Sequence, residues 1–190
     1  MMLATYASAD EYLDKLPRLL RLWRGPAYLD VIPSNWTWRK SCMFRPRNLL
    51  NATKAYGGII VSLDADAEIK TTFSEVDAIA ALGRQTWAAR RDPCHADRLM
   101  SGTLIINASH RDATEWLLAW AKECAKNATA PGADDAALGV VSKDYQPSEL
   151  GPEWCWLEPN GAELRGTPPD TVYVWHHQCS RQMARRKGGR

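Results

Sequence analysis

Apolar residues run almost without interruption from Ile59 to Leu63, between Gly57-Gly58 and Asp64-Ala65-Asp66. A half-exposed strand would alternate polar and apolar positions; continuous apolar character predicts a strand covered on both faces. Upstream, Pro46 suits the first turn of a helix reaching about Tyr56, and the glycine pair is read as its terminator. A helix, a tight link and a doubly buried strand together predict an α/β fold with a parallel sheet.

The remaining elements fall around this unit. The apolar start MMLATYAS predicts a strand, and the Ser8 and Glu11 spacing predicts a capping box before a helix. In that helix Tyr12, Leu13, Leu16, Leu19, Leu20 and Trp23 recur at helical intervals, with Pro17 bending or delaying it. Residues 28–32 predict a second strand, and 35–45 a basic, aromatic loop. Further strands are expected at 85–89 and 103–107. Ser109 and Asp112 open a helix that shows Trp116, Leu117, Trp120 and Cys124 on one stripe. A loop at 127–133, a short helix from Asp134, an irregular proline-rich stretch at 143–170 and a last strand at 172–175 complete the reading.

Composition changes this picture little. At 190 residues and 45% hydrophobic, the chain suits one compact domain. A net charge of +2 gives no bulk argument for a nucleic-acid or membrane partner. The positive excess is local, because RQMARRKGGR at the end carries five cations and no acid. The five cysteines, Cys42, Cys94, Cys124, Cys155 and Cys179, form no CxxC pair, and the start lacks a secretory pattern. We therefore expect a reduced, cytoplasmic setting and no membrane span. Nine tryptophans are many for this length; they are read as core and pocket wall, or as stacking surfaces for sugars or bases.

Candidate chemistry gathers at strand ends. Asp64 and Asp66 lie beyond the carboxyl end of the best-marked strand, where ligands bind in open α/β sheets. In an extended segment residues i and i+2 point the same way, so both carboxylates can face one ligand. Two adjacent carboxylates repel unless a cation shares them, and Mg²⁺ or Mn²⁺ takes such oxygen donors. A calcium loop is rejected: Ile69 stands where its glycine is needed, and a strand precedes it instead of a helix. VYVWHHQCS ends a strand in His176 and His177, which are metal-ligand candidates. With Cys155 and Cys179 they offer a weaker zinc alternative, since local CxxC grouping is lacking. In SGTLIIN, Gly102 opens a strand and lets backbone approach a ligand.

Taken in order, FRPRNLL, VSLDADAEI, MSGTLIIN, a helix ending WAKECAKN, DDAAL, EWCWL and VWHHQCSR resemble the small nucleotide-diphospho-sugar transferase family of bacteria and phages. The resemblance runs from about Leu3 to Arg181. It implies a single GT-A (Rossmann-like) domain over residues 1–180, with a mostly parallel central sheet flanked by helices. A basic tail at 181–190, expected to be flexible, follows. It also implies a metal-dependent glycosyltransferase that uses a nucleotide-diphosphate sugar, UDP-sugar foremost, with Mn²⁺ or Mg²⁺.

Carried over residue by residue, the resemblance assigns Asp66 to the metal and Asp64 to the donor ribose or the metal. His177, with His176 as near-equal, would complete the coordination. Ala4, Thr5 and Tyr6 would line the nucleotide pocket. Arg45 stands where relatives commonly carry a lysine facing the donor, and Ser101 and Gly102 would lie near the transferred sugar. Asp134 and Asp135 stand where relatives often have Asp-Gln, so the acceptor side departs from the pattern; either acid is a candidate base by position. The tail and the tryptophan-rich 35–45 segment suggest DNA as an acceptor. The alternatives are a catalytically silent nucleotide or nucleic-acid binding module of this fold, and a metal-dependent phosphohydrolase or nuclease.

Overall fold

The computed structural model describes residues 1–9, 12–92, 95–126, 133–157 and 169–176. Strand β1 (Met2–Ser8) leads into a 3-10 turn at Leu13–Lys15 and helix α1 (Leu16–Leu20). Pro17 delays the helix: it sits in the first turn of α1, where its missing N–H costs nothing. The Ser8 and Glu11 capping box cannot be placed, because Glu11 lies outside the described residues. Strand β2 (Ala27–Ile32) follows, then α2 (Trp38–Met43) and α3 (Arg45–Ala55). The expected loop at 35–45 therefore holds a helix, whose start is fixed by the Thr37 side chain accepting the Lys40 N–H at 3.2 Å.

Helix α3 ends with Tyr56 in an extended conformation, not in a left-handed glycine cap; among the described glycines only Gly83 has positive φ. The need at Gly58 is space, since a Cβ there would sit 2.7 Å from the Tyr56 ring. Strand β3 (Ile59–Leu63) is buried throughout, as its pattern predicts. After a turn come β4 (Ala67–Ile69) and α4 (Glu75–Leu82). Helix α4 is missing from the sequence reading; its signal is the pair Ser74 and Asp77, which form a reciprocal capping box. A hairpin of β5 (Trp87–Asp92) and β6 (His95–Asn107) is longer than the two short strands expected there. Helices α5 (Ala113–Lys126) and α6 (Ala133–Val141), then strands β7 (Ser148–Glu149), β8 (Trp156–Leu157) and β9 (Val174–His176), complete the described chain.

The central sheet has six strands in the order β2-β1-β3-β6-β5-β7. Strand β1 runs parallel to β2 and β3, and β5 parallel to β7, while β6 is antiparallel to both its neighbours. The sheet is thus mixed, its parallel half carrying β1 to β3. A second sheet, β4-β9-β8, brings the end of the chain back beside β3.

Both faces of the central sheet are covered. Met2, Ala4 and Ile60 turn to one core with Leu49, Trp87, Trp116 and Trp120; Leu3, Ile59 and Val61 turn to the other with Leu16, Leu19 and Trp154. The α5 stripe supplies a stack in which Trp116 lies 4.6 Å from Trp87 and 5.8 Å from Trp120, centroid to centroid. Aromatic pairs of this kind contribute about 0.5–1.5 kcal/mol beyond the area they bury. These three tryptophans are core, unavailable to a sugar. No helix among the described residues is long and apolar enough to cross a membrane.

Candidate metal and nucleotide site

Strand β3 stops at Leu63 because the chain turns: the Ala67 N–H donates to the Asp64 carbonyl at 3.0 Å. Asp64, Ala65 and Asp66 lie in that turn, so the two carboxylates converge by turn geometry and not through the extended i and i+2 relation expected. Strand β9 pairs antiparallel with β4, with His176 opposite Ala67, which carries the imidazole to the same turn. One ligand atom from each of Asp64, Asp66 and His176 lies within 4.8 Å of the others. His177, the resemblance's first choice, lies outside the described residues, as do Cys94, Cys179 and the tail 181–190.

The imidazole is held on both sides. Its Nε2 lies 2.7 Å from the Thr103 hydroxyl, and its Nδ1 faces the second Asp64 oxygen at 3.6 Å. Thr103 was not singled out from the sequence, where it is one more residue of the SGTLIIN strand. Burial works to lower the His176 pKa, but the neighbouring Cys155 and Asp64 outweigh it and push it up to about 10. At Asp64, burial works to raise the carboxyl, while Arg45 and His176 prevail and hold it well below the usual carboxylate range. A guanidinium and an imidazole thus face the Asp64 carboxylate from two sides.

Arg45, at the start of α3, is buried and donates a short hydrogen bond to Asp64 Oδ1, while its Nε lies 3.8 Å from Asp134. Its guanidinium sits 5.4 Å from the centre of the Tyr6 ring. Its Nη1 is buried with no hydrogen-bond partner among the described residues. The same holds for the Thr5 hydroxyl on β1 and Asn48 Oδ1 on α3. Asn48 Nδ2 bridges the Thr5 carbonyl at 3.2 Å and Asp30 at 3.0 Å. Arg45 thus links Tyr6 to the acidic turn and Asn48 links Thr5 to Asp30, whereas the Ala4 side chain belongs to the apolar core.

Gly102 faces the cluster from β6, and its carbonyl accepts the Asp64 N–H at 3.0 Å. A Cβ on Gly102 would lie 2.8 Å from Asp64 Oδ2 and 3.1 Å from His176 Cε1, so a side chain there would force the cluster to shift. Ser101 is tied to α6 instead: its hydroxyl donates to Asp134 at 2.8 Å and its N–H to Asp135 at 2.9 Å. Arg98 donates to the other Asp135 oxygen at 2.6 Å. Asp134 is raised above the usual carboxylate range by burial and by Asp135, against Arg45 and Ser101. Two further ties escape sequence reading: Arg18 donates to the Asp66 carbonyl at 2.9 Å, and Arg21 pairs with Glu68 at 2.9 Å. Neither arginine carries a motif.

The donor set tests well for a divalent ion. Two carboxylates and one imidazole suit Mg²⁺ or Mn²⁺, and Thr103 on Nε2 leaves Nδ1 directed at the acids, the orientation that a second partner imposes on metal-binding histidines. Of the four residues of the zinc alternative, Cys155 neighbours His176, while His177 and Cys179 lie outside the described residues.

A mixed α/β sheet covered on both faces, with an acidic turn after a central parallel strand, is the GT-A-like architecture that the resemblance implies. Solved structures bear this out. The chain superposes on a glycosyltransferase involved in the glycosylation of the major capsid of PBCV-1 with a TM-score of 0.69 and 12% identity, over 96% of this chain and 97% of that one. It also superposes on the glycosyltransferase GlyE of Streptococcus pneumoniae TIGR4 with a TM-score of 0.57 and 13% identity, over 82% of this chain and 46% of that one. The chain therefore matches less than half of GlyE. No protein-family model and no curated protein matches the sequence.

Proposed function

We propose that the protein transfers a sugar from a nucleoside-diphosphate sugar, with Mg²⁺ or Mn²⁺ held by Asp64, Asp66 and His176. The observation carrying this reading is the meeting of those three residues beside the buried Arg45, on a fold shared with glycosyltransferases. When bound, such an ion offsets the negative charge that grows on the departing diphosphate. Arg45 adds a fixed positive charge, with Nη1 free to donate to a phosphate oxygen. Thr103 orients His176, and Gly102 keeps space open against Asp64. Thr5, Tyr6 and Asn48 are read as the nucleotide side of the cleft.

A thermal-shift screen of nucleotide sugars with and without Mn²⁺, UDP-sugars first, tests the reading. A ligand at about 100 times its Kd stabilises by roughly 2.7 kcal/mol, which for a chain of this length raises Tm by about 5 to 10 °C. We expect that shift only when donor and Mn²⁺ are both present. No metal-dependent shift with any nucleotide sugar removes the proposal and leaves the silent-module alternative.

For the acceptor we read DNA. The support is the surface around α2, where Trp38 is 54% exposed, the Lys40 ammonium lies 4.2 Å over the Trp36 ring, and no acid occurs between Asp30 and Asp64. Stacked aromatics interleaved with cations hold nucleic acid with strong salt dependence. Fluorescence anisotropy with single-stranded and duplex oligonucleotides is expected to show binding at low salt that falls steeply as salt rises, and about a tenfold loss for Trp38→Ala. A wild-type protein that binds neither at low salt ends this part of the reading.

A further inference from the structure

We propose that Asp135 is a positioning residue that clamps strand β6 into the shape the site needs, and is neither nucleophile nor base. This rests on reading the Asp64, Asp66 and His176 cluster as the donor site. The argument starts from a break in the β5 and β6 ladder. Ala89 pairs with Leu104, but the next residue, Arg90, pairs with Met100, so Ser101, Gly102 and Thr103 have no opposite number on β5. Such an irregularity bends a strand and re-aims its side chains, and the backbone groups it frees need partners when buried.

These three residues are the wall of the site. Gly102 lies against Asp64 and His176, and Thr103 bonds the imidazole. Ser101 is 4% exposed, and its N–H goes to Asp135 Oδ1 at 2.9 Å instead of to a strand. Asp135 is itself fixed, because Arg98 at the near end of β6 donates to Oδ2 at 2.6 Å. Both oxygens are thus committed, one to a buried amide and one to a guanidinium. Asp134 takes the Ser101 hydroxyl, so two consecutive acids in the first turn of α6 grip one residue by its backbone and its side chain. A carboxylate in this position supplies an acceptor of fixed length to a part of the strand that lost its partner on β5. Its position is set by structural partners on both oxygens.

The test uses Asp135→Ala, Asp135→Asn and Arg98→Met in the full-length chain, read by amide hydrogen exchange at Ser101 and by Mn²⁺-dependent donor turnover. Asparagine keeps an acceptor for the Ser101 N–H but cannot serve as base or nucleophile. We expect Asp135→Ala to lose Ser101 protection at least tenfold and to lower kcat/KM about 10- to 100-fold, the range for residues that orient metal ligands. Asp135→Asn is expected to keep Ser101 protection and turnover within about threefold, with an unaltered pH profile, and Arg98→Met to fall between. Ser101 protection unchanged in Asp135→Ala overturns the clamp. Asp135→Asn as inactive as Asp135→Ala, with Ser101 still protected, assigns Asp135 to the chemistry instead. If the wild type shows no donor turnover, the functional reading fails, while the exchange data still decide whether the clamp exists.

Discussion

Asp66→Ala is expected to weaken Mn²⁺-dependent nucleotide binding by at least about 100-fold, the upper end of the losses seen when mere supports of metal ligands are removed. The side chain is 6% exposed and belongs to the three-residue group that brings β3, the turn and β9 together. Removing it leaves Asp64, whose charge is already shared between Arg45 and His176. The backbone of the turn is held by other groups, the Ala67 N–H on the Asp64 carbonyl and Arg18 on the Asp66 carbonyl. Loss of one of two adjacent acids also relieves repulsion. The variant should therefore fold with a Tm near that of the wild type, so that lost binding reports on the site. Titration calorimetry with Mn²⁺ and UDP measures it. Unchanged affinity in Asp66→Ala would place the metal elsewhere and favour the silent-module reading.

The second large effect is expected from adding one methyl group. In Gly102→Ala the new Cβ would approach Asp64 Oδ2 at 2.8 Å, closer than non-bonded contact allows, and His176 Cε1 at 3.1 Å. A surface carboxylate would swing away at little cost. Asp64 cannot, because Arg45 holds one oxygen and His176 faces the other, with Thr103 fixing the far side of the ring. Either the carboxylate leaves its place or β6 retreats, and both separate the ligands. Metal-dependent nucleotide binding should fall about 10- to 100-fold, as when ligand orientation is lost. Gly139→Ala is the control: nothing lies within 4 Å of a Cβ there, and alanine suits a helix better than glycine. Gly139→Ala should bind as wild type. A Gly102→Ala protein that also binds normally would show that the wall of the site yields.

Local sequence carried much of this. The unbroken apolar run at Ile59–Leu63 marked a doubly covered strand, and the α5 stripe marked a core helix, because burial on a periodic face leaves a periodic trace. The acids at the end of β3 were visible for the same reason: a strand end followed by charge is a local pattern. Helix α2 was missed because one threonine cap is a small signal amid aromatic and basic residues, and α4 because its capping box uses Asp77 where Glu or Gln is the usual mark. The glycine pair after α3 was misread as a cap; its role at Gly58 is to clear the Tyr56 ring, and clearance depends on a side-chain direction that glycine alone does not specify.

What the chain determines by itself is its strongly patterned elements, the acid pair after β3 and the presence of a late histidine, since each follows from residues within one or two turns of each other. What the tertiary structure alone decides is which distant groups meet. His176 reaches Asp64 across more than a hundred residues because β9 pairs with β4, and Arg45 reaches the same carboxylate because α3 begins beside the end of β3. Asp134 and Asp135, candidate bases by position, meet Ser101 for the same reason: α6 packs where β6 parts from β5. Pairing across a sheet depends on register and topology, which are summed over the whole molecule, and no short stretch of sequence encodes them.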